Sequence, residues 1–399
     1  MQKKVNKKYI HRCFELAELG SGFVSPNPLV GAVIVKDNKI ISEGYHKKYG
    51  ESHAEAIAIR NSKETLTGAT LYCNLEPCCH TNKKTPPCVP LIINCGISRV
   101  IISNTDPNPE VNGKGIEILK NAGIEVKTGV LEDEGKKLNK FYLKYTEKQI
   151  PFVTVKIAQS LDAKISITHS DPPRQCYDMA GQTWLTGAES RKYVHRLRAQ
   201  HDAVLVGANT VNVDNPKLNV RFVEGRNPKR VIIDGNLNIN TGATVLWESS
   251  EGRRPLWGVH SDTSPGQNEQ KNETWIVTSN TASIQKKNNI IQMGSKIIEL
   301  TSTPEGKIDL MLIMKMLGEK KITSVLVEGG RQVFQQFIKN GLFDELIVLQ
   351  SPRILGKGIS AFERIYDTNH FNTIQIINLT LLETKCLGND VALVYSGTK

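Results

Sequence analysis

The chain has 399 residues, roughly two to three times the common domain size, so it can build two domains with apolar cores that need no disulfide staples. With 39% hydrophobic and 23% charged residues, its composition is that of a globular protein and excludes collagen-like, disordered and membrane-embedded chains. The 51 Lys and Arg against 40 Asp and Glu leave a net charge of +11, which points to an anionic partner, either nucleic acid or a phosphorylated small molecule.

The basic N terminus, with Lys3, Lys4, Lys7 and Lys8, is not followed by an apolar core of signal-peptide length, and no run approaches membrane-spanning length. A cytoplasmic protein without membrane association is expected. Ile10, Cys13, Phe14, Leu16 and Ala17 form a helical stripe over Lys7–Leu19, closed by Gly20. Leu29–Val35 and Lys39–Glu43 read as two strands around a turn at Asp37-Asn38, followed by a helix over His53–Arg60 and a strand over Ala69–Asn74. Cys88–Asn94 has helical spacing before Gly96, Arg99–Ser103 is an apolar strand, Gly115–Ala122 a helix, and Ile124–Val130 a strand. These elements predict a mixed α/β domain.

A charged helical stretch, Glu132–Lys148, leads to Pro151, where the first domain is expected to end. Beyond it, strands are expected at Phe152–Ile157, Ala203–Val206, Arg230–Ile233, Thr274–Val277, Ser324–Val327 and Glu345–Leu349. Helices are expected at Ser190–Gln200, Leu310–Leu317 and Gln332–Lys339, so the second domain is also α/β. Glu248–Lys271 is poor in apolar residues and reads as a surface insertion.

Six of the eight cysteines, Cys13, Cys73, Cys78, Cys79, Cys88 and Cys95, lie in the first quarter. Without a secretory signal, such a cluster points to metal or chemistry before disulfides. His53-Ala54-Glu55, Pro77-Cys78-Cys79 and Pro86-Pro87-Cys88 can supply one imidazole and two thiolates, three ligands suited to tetrahedral Zn²⁺ with a fourth position open for water. The bound metal turns that water into a nucleophile, and Glu55 is the carboxylate placed to move its protons. His-x-Glu followed by Pro-Cys-x-x-Cys is the zinc-deaminase signature, in which the Glu is not a ligand. Two other roles compete: Ser52-x-x-Glu55 also fits a helix capping box, and Cys73 and Cys95 suit a core. On a regular helix, positions 53 and 55 diverge, so they converge on one metal only at the first turn.

Ser25-Pro26-Asn27-Pro28-Leu29-Val30-Gly31, Gly44-Tyr45-His46, His53-Ala54-Glu55, Leu75-Glu76-Pro77-Cys78-Cys79-His80 and Lys84-Thr85-Pro86-Pro87-Cys88 together resemble the deaminase half of the bifunctional riboflavin biosynthesis deaminase/reductase family. The resemblance implies a cytidine-deaminase-like domain over 1–148, with His53, Cys78 and Cys88 on zinc and Glu55 as proton shuttle. The loop Cys79–Pro87 is one residue longer than the family pattern. Cys78 keeps the Glu-Pro-Cys context while Cys79 keeps the spacing to Cys88, and Cys78 is the favoured ligand because a loop absorbs an insertion more easily than a ligand-bearing turn. By the same resemblance Asn27 and His46 contact the pyrimidine, and Lys84, or Lys83 in its place, the 5′-phosphate.

In the second half, Val327-Glu328-Gly329-Gly330 before a helix is a turn where a phosphate can approach free N–H groups, although it does not match the dinucleotide fingerprint G-x-G-x-x-G. Lys156-Ile157-Ala158-Gln159-Ser160-Leu161-Asp162, Leu197-Arg198-Ala199-Gln200, Gly207-Ala208-Asn209-Thr210 and Asp214-Asn215-Pro216-Lys217-Leu218 resemble the reductase half of the same family. That implies a dihydrofolate-reductase-like domain over 151–399 that uses NADPH to reduce the ribosyl group to ribityl. Ala158, Trp184, Thr210, Asp214 and the turn Gly330, Arg331, Gln332, Val333, Phe334, Gln335 and Gln336 would then hold the cofactor. Gln182, Arg198, Leu218, Arg221 and Glu328 would hold the substrate, with the two arginines as a phosphate clamp. Ala163 stands where the family usually has Gly, and Ile167–Gln182 is a longer connection than usual. The expected partner is a phosphorylated pyrimidine rather than nucleic acid, and a homo-oligomer is expected. A tRNA-type adenosine deaminase fused to an unrelated domain is disfavoured by the matches in the second half. A non-catalytic zinc-stabilised binding protein is disfavoured by Glu55, for which a purely structural site has no use.

Overall fold

The buried stripe of the first helix, Tyr9, Ile10, Cys13, Phe14, Leu16 and Ala17, lies along α1 (Lys7–Glu18) in the computed structural model. The structure describes residues 5–81, 84–166, 184–247, 272–303, 307–362 and 376–397. Lys3 and Lys4, Lys83, Gln182 and the connections Ile167–Gln182 and Glu248–Lys271 lie outside the described residues. The chain divides into two compact units, Met1–Pro151 with Gly318–Thr323, and Phe152–Leu317 with Ser324–Lys399.

In the first unit β1 (Gly31–Lys36) and β2 (Lys39–Tyr45) form a hairpin. Asp37 and Asn38 take φ of 49° and 63°, the left-handed turn that matches the strand twist. The unit continues through α2 (Ala54–Asn61), β3 (Thr70–Leu75), α3 (Cys88–Asn94), β4 (Arg99–Asn104), α4 (Lys114–Asn121) and β5 (Glu125–Lys127). The sheet order is β2-β1-β3-β4-β5, with β1 antiparallel to both neighbours and β3, β4 and β5 parallel, as helical crossovers require. The single charged helix expected over Glu132–Lys148 is instead α5 (Glu132–Leu138) and α6 (Lys140–Lys148). The break falls at Asn139, whose buried amide leaves the helical pattern to bond Leu29: its Oδ1 accepts from Leu29 N at 2.8 Å and its Nδ2 donates to Leu29 O at 2.9 Å.

The second unit runs β6 (Phe152–Gln159), β7 (Lys164–Ser166), α7 (Ala188–Gln200), β8 (Ala203–Gly207), α8 (Ala208–Asp214), β9 (Lys229–Ile233), β10 (Thr274–Ser279), α9 (Ile284–Gln292) and β11 (Lys296–Leu300). It continues with α10 (Leu310–Glu319), β12 (Ser324–Gly329), α11 (Arg331–Lys339), β13 (Glu345–Gln350), β14 (Ile359–Ser360), β15 (Thr380–Leu387) and β16 (Asp390–Ser396). The main sheet has the order β11-β10-β9-β8-β12-β6-β13-β16-β15, parallel as far as β13 and antiparallel at β16 and β15. Its central strands are buried throughout, as in Ala203–Gly207, which is why they read as unbroken apolar runs.

Two neighbours in this sheet diverge. From β8 the chain passes through α8 to β9 on one side, whereas from β12 it passes through α11 to β13 on the other. The carboxyl ends of β8 and β12 therefore flank a topological switch point, where open α/β sheets leave a ligand crevice.

Ala163, between β6 and β7, has φ 58°. A side chain in this left-handed conformation costs about 1 kcal/mol, which a glycine there would avoid. Ala163→Gly is expected to raise the thermal midpoint of this unit by about 2–4 °C. Calorimetry checks it, and an unchanged or lower midpoint contradicts it.

Candidate active sites

The first site is assembled at the ends of two helices and one strand. His53 is the N-cap of α2, Cys78 follows β3, and Cys88 opens α3. Gly44 permits this, because a Cβ there would meet the α2 backbone, Ala54 O at 2.4 Å and Ala58 N at 2.6 Å. His53 Nδ1 lies 3.4 Å from Cys78 Sγ and 3.6 Å from Cys88 Sγ, and the three donor atoms all lie within 4.8 Å of one another. Metal–sulfur and metal–nitrogen bonds of about 2.3 and 2.0 Å at a tetrahedral angle imply an N···S edge of about 3.5 Å, so the set fits zinc. Cys79 points elsewhere, with Sγ 3.7 Å from the Glu110 carbonyl, so the structure groups Cys78 and not Cys79 with His53 and Cys88. The capping box does not form: the N-cap is His53 without a side-chain cap, and Ser52 Oγ accepts instead from Arg60.

Because His53 sits at the cap and Glu55 in the first turn, both reach the same cysteine. Cys88 Sγ is 3.5 Å from Glu55 Oε2, and Glu55 is buried. Burial, then the Cys78 sulfur, pushes the Glu55 carboxyl above its ordinary pKa, while His53 opposes the shift. Thr85 Oγ1 lies 3.2 Å from His53 Nε2, which orients the ring with Nδ1 toward the sulfurs. Thr85 was not singled out from sequence, although it belongs to the same Thr-Pro-Pro-Cys segment.

Around the triad, His46 Nδ1 donates to Ser52 O at 3.1 Å, and its Nε2 accepts from Asn27 Nδ2 at 3.0 Å. The His46 and His53 ring centroids are 5.4 Å apart, so Asn27 and His46 border the triad of His53, Cys78 and Cys88. Exposed Lys84 places Nζ 4.6 Å from the Tyr49 ring centroid, a cation–π contact that tethers its loop.

In the second unit the switch point brings Thr210 against the glycine turn. A Cβ on Gly329 would meet Thr210 Cγ2 at 2.8 Å, one on Gly330 would meet Thr210 Oγ1 at 3.0 Å, and Gly330 has φ 83°. This bare-backbone cradle at the start of α11 fits a nucleotide phosphate. Phe334 is buried in the core, so it offers such a ligand its main chain only. Ala158 is partly buried near the end of β6, and Asp214 closes α8. Trp184 is exposed, with the Arg191 guanidinium 5.1 Å from its ring centroid and Arg353 Nη1 donating to its carbonyl at 2.7 Å.

Arg198, Leu218, Arg221 and Glu328 do converge, but not as a pair of clamping arginines. Arg198 Nε and Nη2 donate to the two Glu328 oxygens at 2.5 and 2.8 Å, and its Nη1 donates to Asn219 O at 3.1 Å. Lys156 Nζ lies 3.3 Å from the same carboxylate. Burial alone would raise Glu328, but Arg198 and Lys156 outweigh it and hold the carboxyl well below the usual range. Leu218 is buried with φ 50° and anchors the segment, which leaves exposed Arg221 as the outward cation. Lys156 joins Arg198 and Glu328 without notice in the sequence, because a lysine within a strand carries no local signal of its partner.

Known proteins are similar along nearly the whole chain. The model for the RibD C-terminal domain matches residues 151–393, and that for the cytidine and deoxycytidylate deaminase zinc-binding region matches residues 3–104. The riboflavin biosynthesis protein RibD of Aquifex aeolicus is 38% identical over 396 residues, covering 99% of each chain. That of Escherichia coli is 33% identical over 395 residues, covering 98% of each. The chain belongs to the RibD family. A Thermotoga maritima RibD-family enzyme, described as a diaminohydroxyphosphoribosylaminopyrimidine deaminase and 5-amino-6-(5-phosphoribosylamino)uracil reductase, superposes with a TM-score of 0.78 at 34% identity over 98% of each chain.

As a RibD-family member the protein is a bifunctional enzyme of riboflavin biosynthesis, a deaminase and a reductase, with zinc and NADPH as its cofactors. The first unit is cytidine-deaminase-like and the second is the RibD reductase domain of dihydrofolate-reductase-like fold. Among the described residues no helix is long and apolar enough to cross a membrane.

Proposed function

We propose that residues 1–148 deaminate a diaminohydroxypyrimidine bearing a ribosylamino 5′-phosphate and that residues 151–399 reduce the ribosyl group of the deaminated product to ribityl. The observation that carries this reading is Glu55, a buried carboxyl against the zinc triad but outside it. A structural zinc site fills all four positions with protein ligands and has no use for such an acid.

Zinc held by His53, Cys78 and Cys88 supplies Lewis acidity that makes water nucleophilic near neutral pH. Glu55 takes a proton from the attacking water, delivers it to the ring nitrogen, and passes the next to the departing amino group, so that a C–O bond replaces a C–N bond and ammonia leaves. Asn27 and His46 hold the pyrimidine edge, and Lys84 the phosphate. The hydrogen bond from His46 to Ser52 O supports this role, because it fixes the imidazole tautomer and with it the Asn27 amide.

NADPH supplies hydride to the sugar C1′. Ala158, Trp184, Thr210, Asp214 and the turn Gly330–Gln336 hold it, and Gln182, Leu218, Arg221 and Glu328 hold the substrate. Arg198 orients Glu328 and the segment after Leu218, so Arg221 carries the charge toward the phosphate. A cytoplasmic homo-oligomer that binds no nucleic acid belongs to the same reading. None of the described cysteines forms a disulfide, as suits a reducing compartment. The exposed edge strand β15, with Leu381 and Leu382 half exposed, is the kind of edge that a second copy covers.

Incubating the protein with the diaminopyrimidine ribosyl phosphate and NADPH is expected to release ammonia and consume NADPH in equal amounts. Inactivity there, alongside deamination of tRNA, would overturn the reading.

A further inference from the structure

We propose that His195 is a positioning residue of the reductase site, holding the main chain and ring contact that aim Arg221 at the substrate phosphate. The inference rests on the reading above that Arg221 meets that phosphate. Arg191, His195 and Arg198 follow one another at the i, i+4, i+7 spacing of a single face of α7. His195 is only 3% exposed, yet it is not simply core. Its Nδ1 accepts the Arg221 N–H at 3.0 Å, and its ring packs on Phe222 with centroids 4.6 Å apart. The Arg221 guanidinium in turn lies 4.9 Å from the Phe222 centroid. One turn further along α7, Arg198 Nη1 donates to Asn219 O.

Two successive turns of one helix thus grip the segment after Leu218 at two main-chain points. Between the grips, the Arg221 side chain emerges on an orientation set by Phe222. The acceptor must be a neutral imidazole, because a proton on Nδ1 would face the Arg221 N–H. Burial, then the neighbouring Arg198 and Arg221 cations, keeps it neutral by pushing its pKa down to about 3. An apolar side chain of similar size would fill the space but leave the Arg221 N–H without its acceptor.

The test uses the full-length enzyme and three variants, His195→Leu, His195→Asn and Arg221→Ala. Reductase KM and kcat are measured on the ribosylaminouracil with and without its phosphate, together with the KM for NADPH and ammonia release by the deaminase. His195→Leu is expected to raise KM for the phosphorylated substrate about tenfold, equivalent to about 1.4 kcal/mol. It should leave kcat, the NADPH KM and deamination within about twofold, and reduce the preference for the phosphorylated over the unphosphorylated substrate by the same factor. His195→Asn, whose Oδ1 takes the place of Nδ1, is expected to restore most of that KM. Equal impairment of the Leu and Asn variants, or a rise in NADPH KM as large as that for substrate, would overturn the inference in favour of a packing role. A raised KM in Arg221→Ala with a normal one in His195→Leu would overturn the inference alone. A normal KM in Arg221→Ala would remove the phosphate reading and the inference with it.

Discussion

Glu55→Gln is expected to lower deamination by at least about a hundredfold while leaving zinc bound and the reductase untouched. The amide keeps the shape of the carboxyl and can still hydrogen-bond, but it neither takes up nor releases a proton near neutral pH. Glu55 is buried, and its Oε2 is 3.5 Å from a ligand sulfur rather than within the His53, Cys78 and Cys88 set. Removing its charge therefore leaves the donor set whole. The expected record is about one zinc per chain by metal analysis, lost ammonia release, and normal NADPH oxidation on pre-deaminated substrate. Cys88→Ser is the contrasting variant, because exchanging a thiolate for a hydroxyl removes a ligand and zinc content should fall with deamination. Loss of both activities in Glu55→Gln would assign Glu55 to folding instead.

Glu328→Gln is expected to destabilise the second unit by about 3 kcal/mol, because Arg198 and Lys156 would remain largely buried without their counter-charge. The pH dependence follows from the sign of the shift. The folded carboxyl titrates below its unfolded value of about 4.3, so its stabilisation is complete above that pH and is lost as pH falls through the folded pKa. Denaturation midpoints of wild type and variant should differ most near neutrality and converge as pH drops below about 4. A gap that stays constant or widens on acidification would mean that Glu328 is not ionised in the folded protein. The reductase should also lose substrate affinity, read as a raised KM with NADPH binding preserved.

Much of the first unit was legible because its signals are local. The Asp37-Asn38 hairpin and the apolar strand Arg99–Ser103 each follow from a few neighbouring residues. His53, Cys78 and Cys88, which the structure brings together, each stand in a short motif. The second unit was less legible: β7, α8, α9, β11, β14 and the hairpin of β15 and β16 were not expected. β15 is an edge strand, exposed along most of its length, so it lacks the alternation that marks a half-buried strand. α8 is seven residues long and mostly polar, with only Ala208 and Val211 buried, so it shows too short an apolar stripe to be read as a helix.

Taken alone, the sequence determined which imidazole, thiols and carboxyl stand in short motifs, with Glu55 two residues after His53, and the two α/β domains, since all of these are properties of composition and near-neighbour spacing. Only the tertiary structure groups Cys78 rather than Cys79 with His53 and Cys88, because one sulfur turns toward His53 and the other toward the Glu110 carbonyl, a difference of direction that adjacent identical residues cannot express. It alone tied Arg198 and Lys156 to Glu328 and set His195 under Arg221. Those contacts span 130 residues between Arg198 and Glu328 and 26 between His195 and Arg221, and they exist only once α7 packs beside the strand ends of the second sheet.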